Sequence, residues 1–284
     1  MRPLTQISAT TRFGFERNMV VSLARATAGS LIFSLPLLMT MEMWQLGFYV
    51  SPWRLIVLLI VMLPLLVGLS YICGFEATER LRDDVLDAFV AIFVAAIVST
   101  IVLFMFRVID FGMPPGEIIG KIIIQTFPGS VGAMLARDQM SGSTDKATSR
   151  RRKNPSYPME LFLMAAGAVF LGLSVAATEE MVLLAHMMSP FHELGLVLAS
   201  IVAIHSFVYA VEFAGKPQTH PDATLFFLFI RFSVVGYAIV LLVAVYLLWT
   251  FGRTDGASFA DVLSASIVLG FPCSIGAAAA RLIL

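Results

Sequence analysis

Two glutamates in matching sequence settings are the first candidates for chemistry in this chain. Glu42 lies two residues after Thr40, and Glu180 lies two residues after Thr178, with Glu179 beside it. Ionisable side chains near hydrocarbon are costly and often mark an ion pathway or a buried partner. At 1.5 Å per residue in a helix that starts near residue 20, the first glutamate lies about 33 Å along, near the outer interface. An ion-pathway role and a carboxylate in the outer headgroup region are both open.

A second chemical pattern is the sequence Phe-Pro-x-Ser-x-Gly-Ala, which occurs twice. It places Pro128 and Ser130 near the middle of one apolar run, and Pro272 and Ser274 near the middle of another. A proline inside a helix frees a carbonyl one turn earlier. Free carbonyls beside hydroxyls at a broken helix coordinate cations in several transporters. The small residues of the motif also predict close helix packing, and the two interpretations are compatible.

Two further sets of polar residues fall inside or at the ends of apolar runs. Asp87 and Arg231 align with each other in the two parts of the chain, which predicts a buried pair at the cytoplasmic end. Separate solvated charges at the span ends are equally open. His205, Tyr209 and Glu212 recur at helical spacing and form a candidate proton relay, because histidine titrates near neutral pH. A histidine that only packs is the alternative.

The sequence offers only slight support for a metal or a cofactor. His186, His192 and Glu193 lie in one outer loop and could bind a metal ion loosely, but their spacing fits no structural zinc site, so a metal stays undetermined. The two cysteines are far apart and lie in apolar runs. Phosphate loops, dinucleotide fingerprints and hydrolase motifs are absent from the sequence, so we expect no cofactor and no enzyme.

Composition defines the elements that must position these residues. Of the 284 residues, 58% are hydrophobic and 13% are charged, which is too little polar surface for a soluble globule of this size. Eight apolar runs approach or exceed the length of about 20 residues that crosses a bilayer. The predicted class is therefore all-α, a polytopic transmembrane helix bundle, with spans near residues 20–46, 54–74, 86–107, 116–136, 158–184, 193–213, 225–251 and 260–283.

The chain also repeats itself, which predicts two related halves. Residues 127–137 and 271–281 share seven of eleven identities, and residues 28–75 align without a gap at an offset of 138. The offset is 144 after the sixth run, because extra residues fall in the following loop. Four spans per half give both halves one orientation, as parallel repeats about a pseudo-twofold axis along the membrane normal. The predicted divisions are a segment at 1–19, a first repeat at 20–137, a linker at 138–156 and a second repeat at 157–284.

Charged residues predict the orientation of the spans. The basic residues of the N-terminal segment and of the linker fall on one side, which the positive-inside rule makes cytoplasmic. Both termini are then cytoplasmic. The opposite face is acidic and attracts cations, although exclusion of basic residues from translocated loops produces the same imbalance.

Two functions remain open on these residues. The first is transport: a small cation or proton crosses between the two repeats, past the repeated glutamates and the proline motifs. The second is a membrane protein that transports nothing and binds or organises a partner. The lipid bilayer is the expected surrounding in both, an oligomer is open, and nucleic acid is not expected because no soluble domain is large enough to bind it.

Several segments resemble a bacterial family of integral membrane proteins without an assigned function. They are Met41-Glu42-Met43-Trp44, residues 64–71, residues 177–181, residues 249–256 and the C-terminal Phe-Pro motif. The resemblance extends over nearly the whole chain and implies a bacterial inner-membrane location. It implies no catalytic or binding residues.

Overall fold

The computed structural model describes residues 6–73, 81–141, 156–213, 226 and 229–283, with side chains in 20–72, 81–136, 156–206, 226 and 229–280. Ten α-helices and one π-helix account for the regular structure of these residues. They are α1 Gln6–Leu38, α2 Met41–Tyr49, α3 Pro52–Cys73, α4 Leu81–Met105, α5 Pro115–Ser141, α6 Tyr157–Ala176, α7 Glu180–Met187, α8 Pro190–Phe213, the π-helix Phe229–Val234, α9 Val235–Thr250 and α10 Phe259–Ile283.

The described helices confirm the predicted all-helical membrane class. Seven of them are long and apolar enough to cross a membrane. An eighth candidate arises where α7 and α8 meet at an angle of 120°. The first and fifth predicted spans are not single helices, because each is interrupted before its end, so that α2 and α7 are separate short helices.

Each half of the chain is built around its last helix. In the first half, α5 packs against α1, α4, α2 and α3; in the second half, α10 packs against α6, α8, α9 and α7. Both central helices are approached closely through glycines, Gly29 on Gly132 and Gly167 on Gly276, where an added Cβ would overlap a carbonyl oxygen of the facing helix. These four glycines align in pairs in the predicted repeat, and the small residues do permit close packing.

The two halves meet through an apolar contact. One cluster of buried hydrophobic side chains continues through both halves. The rings of Phe33 and Phe170 lie 5.2 Å apart between centroids, and Phe162 packs directly on Gly68. Such an interface resembles the interior of a domain more than a polar channel.

The helix bundle has two ends, and the candidate site lies between them. The Asp255 end carries the short connections near residues 50, 110, 188 and 255, and the linker end is where α5 ends at Ser141 and α6 begins at Tyr157. A cleft of about 440 Å³ opens at the linker end between α3 and α6. Its lining is mostly apolar and includes neither Ser130 nor Ser274.

Candidate functional site

The break in the first span is held by side chains from other helices. α1 ends at Leu38, and its last carbonyls lack partners within the helix. Gln125 Nε2 on α5 donates to the carbonyl of Leu37 at 3.2 Å, and Trp44 Nε1 on α2 donates to the carbonyl of Leu38 at 2.7 Å. Thr40 Oγ1 donates to the carbonyl of Pro36 at 2.7 Å. The break is thus a specified feature and not a frayed end.

The second half has the same break with different support. α6 ends at Ala176, although the position aligned with Pro36 is Ser174, so a proline is not required for the interruption. Thr178 Oγ1 donates to the carbonyl of Val175 at 2.9 Å, and Arg253 Nη2 donates to the carbonyl of Ala177 at 2.7 Å. In this half the guanidinium of Arg253 donates to the helix end, whereas the first half uses the amide of Gln125 and the indole of Trp44.

The level of the break follows from its contacts with α5. Gly29 of α1 faces Gly132, Leu37 bonds Gln125, and Gly47 of α2 faces the backbone of Gly120. The break therefore lies beside α5 between Gly120 and Gln125. Both residues are inside the apolar span of α5, which runs from residue 115 to 136. Glu42 lies at this level, about 8–15 Å along α5 from the Asp255 end. These contacts put Glu42 beside residues 120–125 of α5, and its depth in the bilayer stays a prediction.

The two repeated glutamates differ in their surroundings. Glu42 is half-buried in the first turn of α2 and has no hydrogen-bond or ion-pair partner among the described residues. Glu180 is exposed in the first turn of α7. Glu179 is exposed and lies 3.5 Å from Arg253 Nη1. Only the glutamate of the first half is a partly desolvated carboxylate.

The proline motifs do not break their helices, contrary to the expectation. α5 continues through Pro128 and α10 continues through Pro272. Ser130 Oγ donates to the carbonyl of Phe127 at 2.8 Å and is fully buried. Ser274 is also fully buried, so neither serine lines an open path between the halves. A proline in a buried helix is tolerated where neighbouring groups satisfy the freed carbonyl.

A buried lysine in the first half was missed as a site residue by sequence reasoning. Lys121 Nζ lies 2.7 Å from Glu117 Oε1 and donates to the carbonyl of Val108 at 3.0 Å, with Met113 Sδ at 3.7 Å. The lysine is 6% exposed, and its aligned position is Ala265. Its membrane position and its i, i+4 spacing from Glu117 were the available signals.

A second polar cluster of the first half lies toward the linker end. Ser70 Oγ lies 3.2 Å from Asp84 Oδ1 and 3.4 Å from Asp87 Oδ2. Asp84 is 2% exposed and Ser70 is 1% exposed. Carboxylates inside a helix bundle are rare and are commonly functional.

The predicted pair between Asp87 and Arg231 stays a prediction. The contacts described for them lie in different halves: Asp87 meets Ser70, whereas the Arg231 guanidinium carbon lies 4.3 Å from the ring centroid of Tyr157. Tyr157 also donates its hydroxyl to the carbonyl of Arg231 at 2.9 Å. Arg231 belongs to the π-helix, a geometry that is frequent at functional sites.

An ion pair between the halves does occur at the Asp255 end. Arg54 of α3 binds the carboxylate of Asp255 through two nitrogens at 2.9 and 2.5 Å and lies over the ring of Trp249. The hydrogen bond from Arg54 lowers the pKa of Asp255 below its ordinary value. This pair joins the halves at the Asp255 end, whereas the Asp87 and Arg231 pair is predicted for the cytoplasmic end.

Of the candidate proton relay His205, Tyr209 and Glu212, the structure describes the side chain of His205. His205 Nδ1 lies 2.9 Å from Ser233 Oγ in the π-helix, and its ring meets Phe229 edge to face. The side chains of Tyr209 and Glu212 lie outside the described residues. Among the described residues, no group of three or more His, Cys, Asp or Glu side chains is arranged to hold a metal ion.

The fold and its buried polar groups define a multi-pass integral membrane protein with several apolar helices. The chain belongs to the family described as "Putative integral membrane protein (DUF2391)", whose model matches residues 22–284. No curated protein matches the chain, and no solved structure matches it.

Proposed function

We propose that the protein provides a pathway for a small cation or a proton across the membrane, and that this pathway runs through the first half. The observation that carries the proposal is Glu42. It is a half-buried carboxylate without a partner among the described residues, beside a helix break at a level inside the α5 span. Half-helices that end within a membrane present dipoles that interact with ions.

Other polar groups of the first half support a pathway on both sides of this break. Toward the Asp255 end lies the Lys121 and Glu117 pair, and toward the linker end lie Ser70, Asp84 and Asp87. We therefore place the pathway inside the first half and not between the halves, where the contact is apolar. Carboxylates at successive levels are the usual constituents of proton and cation paths.

The architecture that we propose with this function has eight spans in two parallel repeats. The matched glycine contacts, the breaks after Leu38 and Ala176, and the bent pair of α7 and α8 support it. We further propose a bacterial inner-membrane location with both termini in the cytoplasm, based on the basic residues near the linker end. The chain carries no motif for catalysis, so the proposal includes no enzymatic step.

Flux into liposomes tests the transport proposal. Purified protein is reconstituted, and uptake of Na⁺, K⁺, Ca²⁺ and H⁺ is measured for wild type, Glu42→Gln and Glu180→Gln. We expect the change at Glu42 to lower flux about tenfold or more, because it removes the charge at the break. The change at Glu180 is the matched control, since the aligned glutamate is exposed, and it retains most of the flux.

Two outcomes would overturn the proposal. Equal loss in both variants would place the pathway outside the first half. No flux above protein-free liposomes for any of the four ions would remove transport altogether.

A role in binding a partner is the second candidate, and the apolar contact between the halves favours it. A pathway along the pseudo-axis would need a polar cavity that reaches Ser130 and Ser274, and both are fully buried. Absence of flux together with normal folding would move this role to first place.

A further inference from the structure

The cleft at the linker end lies at the junction of the two halves. Its lining includes Gly68, Tyr71 and Ile72 of α3 and Met159 and Phe162 of α6. Beside it, Ile72 and Leu163 form a small buried cluster of their own. Because α3 belongs to the first half and α6 to the second, a molecule in this cleft would contact both halves.

The cleft extends from the ends of two candidate membrane spans toward their middle. These spans are 52–72 in α3 and 157–176 in α6, and Ser156, which also lines the cleft, directly precedes the second. Gly68 and Phe162 lie inside the spans, about 6–8 Å from the span ends at 1.5 Å per residue. We therefore expect the mouth at the membrane interface and the inner end beside hydrocarbon.

The inner end of the cleft is formed by a ring that lies directly on a backbone. A Cβ at Gly68 would be 2.3 Å from Phe162 Cζ, so a larger residue at this position would displace the ring. The ring of Phe162 is itself half-buried. The two helices therefore meet at this level and separate toward the linker end, where the cleft opens.

The chemistry of the lining changes from the inner end to the mouth. Ile72, Met159 and Phe162 present apolar side chains, and an ordered water beside them would lack the polar partners that it requires. Tyr71 and Ser156 carry hydroxyls, are exposed and lie toward the mouth. The side chain of Ser156 makes no capping hydrogen bond to α6. This arrangement fits an amphipathic molecule whose chain points inward and whose polar group lies at the interface.

We propose that the cleft binds one acyl chain of a bilayer phospholipid, with the polar headgroup beside the hydroxyls of Tyr71 and Ser156. The bilayer supplies such a molecule at the level of the cleft, and a volume of about 440 Å³ is within the range of small-molecule sites. The lipid completes the contact between the halves at the linker end, as the pair of Arg54 and Asp255 does at the other end. The inference goes beyond the proposed function and does not rest on it.

Retention of phospholipid through purification tests the inference. Full-length protein is exchanged into lipid-free detergent and analysed by native mass spectrometry, and its thermal unfolding is followed with and without added phosphatidylethanolamine or phosphatidylglycerol. Wild type should retain about one phospholipid per chain and unfold at a higher temperature when phospholipid is added, because a ligand that binds only the folded state stabilises it.

Three tryptophan variants locate the lipid. Met159→Trp fills the cleft, so it should lower the retained phospholipid about fivefold or more and remove the thermal shift. Ser156→Trp blocks the mouth from an exposed position and reports on the site if Met159→Trp fails to fold. Gly195→Trp is the matched control, because it adds the same indole on an exposed surface where a Cβ would meet nothing within 4 Å, and retention should equal that of wild type.

Three outcomes would overturn the inference. The first is wild type that retains no phospholipid, and the second is equal retention in all three tryptophan variants. The third is a dimer without phospholipid that dissociates in Met159→Trp, which would assign the cleft to a second copy of the chain. Flux through the Glu42 region is measured separately in liposomes, so either proposal can fail while the other stands.

Discussion

The two halves pack their helices in the same way but bury different chemistry. In both, the first helix approaches the last through a pair of glycines, and in both the first span is interrupted two residues before a Thr-x-Glu sequence. The first half buries a lysine, a glutamine and two serines where the second half has apolar residues: Lys121, Gln125, Ser30 and Ser99 against Ala265, Leu269, Ala168 and Val243.

This comparison distinguishes the glycine packing that both halves share from the polar residues that the first half has at four aligned positions. Close approach of backbones needs only small residues and is retained in both halves. Buried polar groups cost stability unless they are paired, and in the first half Gln125 and Lys121 donate to the carbonyls of Leu37 and Val108. The second half has apolar residues at these four positions, so the shared packing does not require polar residues there.

Removing the buried lysine should produce the largest effect. We expect Lys121→Met to lower the free energy of unfolding by about 3 kcal/mol, because it leaves Glu117 without its ion pair in a mostly buried position. Adding Glu117→Gln should recover part of the loss. Thermal or denaturant unfolding in micelles measures both. Asp261→Asn, aligned with Glu117 but exposed, is the control and should cost below about 1 kcal/mol. A loss in Lys121→Met no larger than that in Asp261→Asn would contradict a difference between the halves.

Filling the glycine contacts should affect both halves alike. Gly29→Ala and Gly167→Ala each place a Cβ against a carbonyl oxygen, so we expect each to cost about 1–3 kcal/mol. Unfolding in micelles checks this. Gly195→Ala, where a Cβ would meet nothing within 4 Å, should change stability by about 0.5 kcal/mol or less. A large effect in one half and none in the other would break the structural equivalence.

The ion pair that joins the halves should give the smallest effect. Because Arg54 lowers the pKa of Asp255 in the folded protein, its contribution is present above the ordinary carboxyl pKa and is lost as pH falls through the lowered value. Asp255 is 60% exposed, so we expect less than about 1 kcal/mol at neutral pH. The melting temperatures of wild type and Asp255→Asn, compared at pH 7 and pH 3, should converge at the lower pH. A difference that persists at pH 3 would argue against this linkage.

Much of the helical framework was predictable from residue patterns. The run expected near 54–74 is α3, Pro52–Cys73, and the run expected near 116–136 is part of α5, Pro115–Ser141. Apolar runs of this length have one low-energy conformation in a bilayer, because every backbone group must be satisfied within the segment.

The helix breaks expected at the two proline motifs are absent for an identifiable reason. Proline removes one hydrogen bond, which predicts breaks at Pro128 and Pro272, yet both lie in continuous helices. The actual breaks depend on donors that reach the exposed carbonyls from elsewhere, such as Gln125 to Leu37 and Arg253 to Ala177. Those donors are more than 70 residues away in the chain, so no local pattern reveals them.

Sequence alone therefore settled the class of this protein, since transfer of apolar side chains out of water depends on local composition and length. It also identified Glu42 as a candidate, because a carboxylate in an apolar run is conspicuous wherever it lies. Tertiary structure alone determined which polar groups meet. Gln125 meets the carbonyl of Leu37 only through the packing of α5 on α1, and Arg54 meets Asp255 across 201 residues. Contacts of this kind depend on packing between distant segments, which the order of residues does not display.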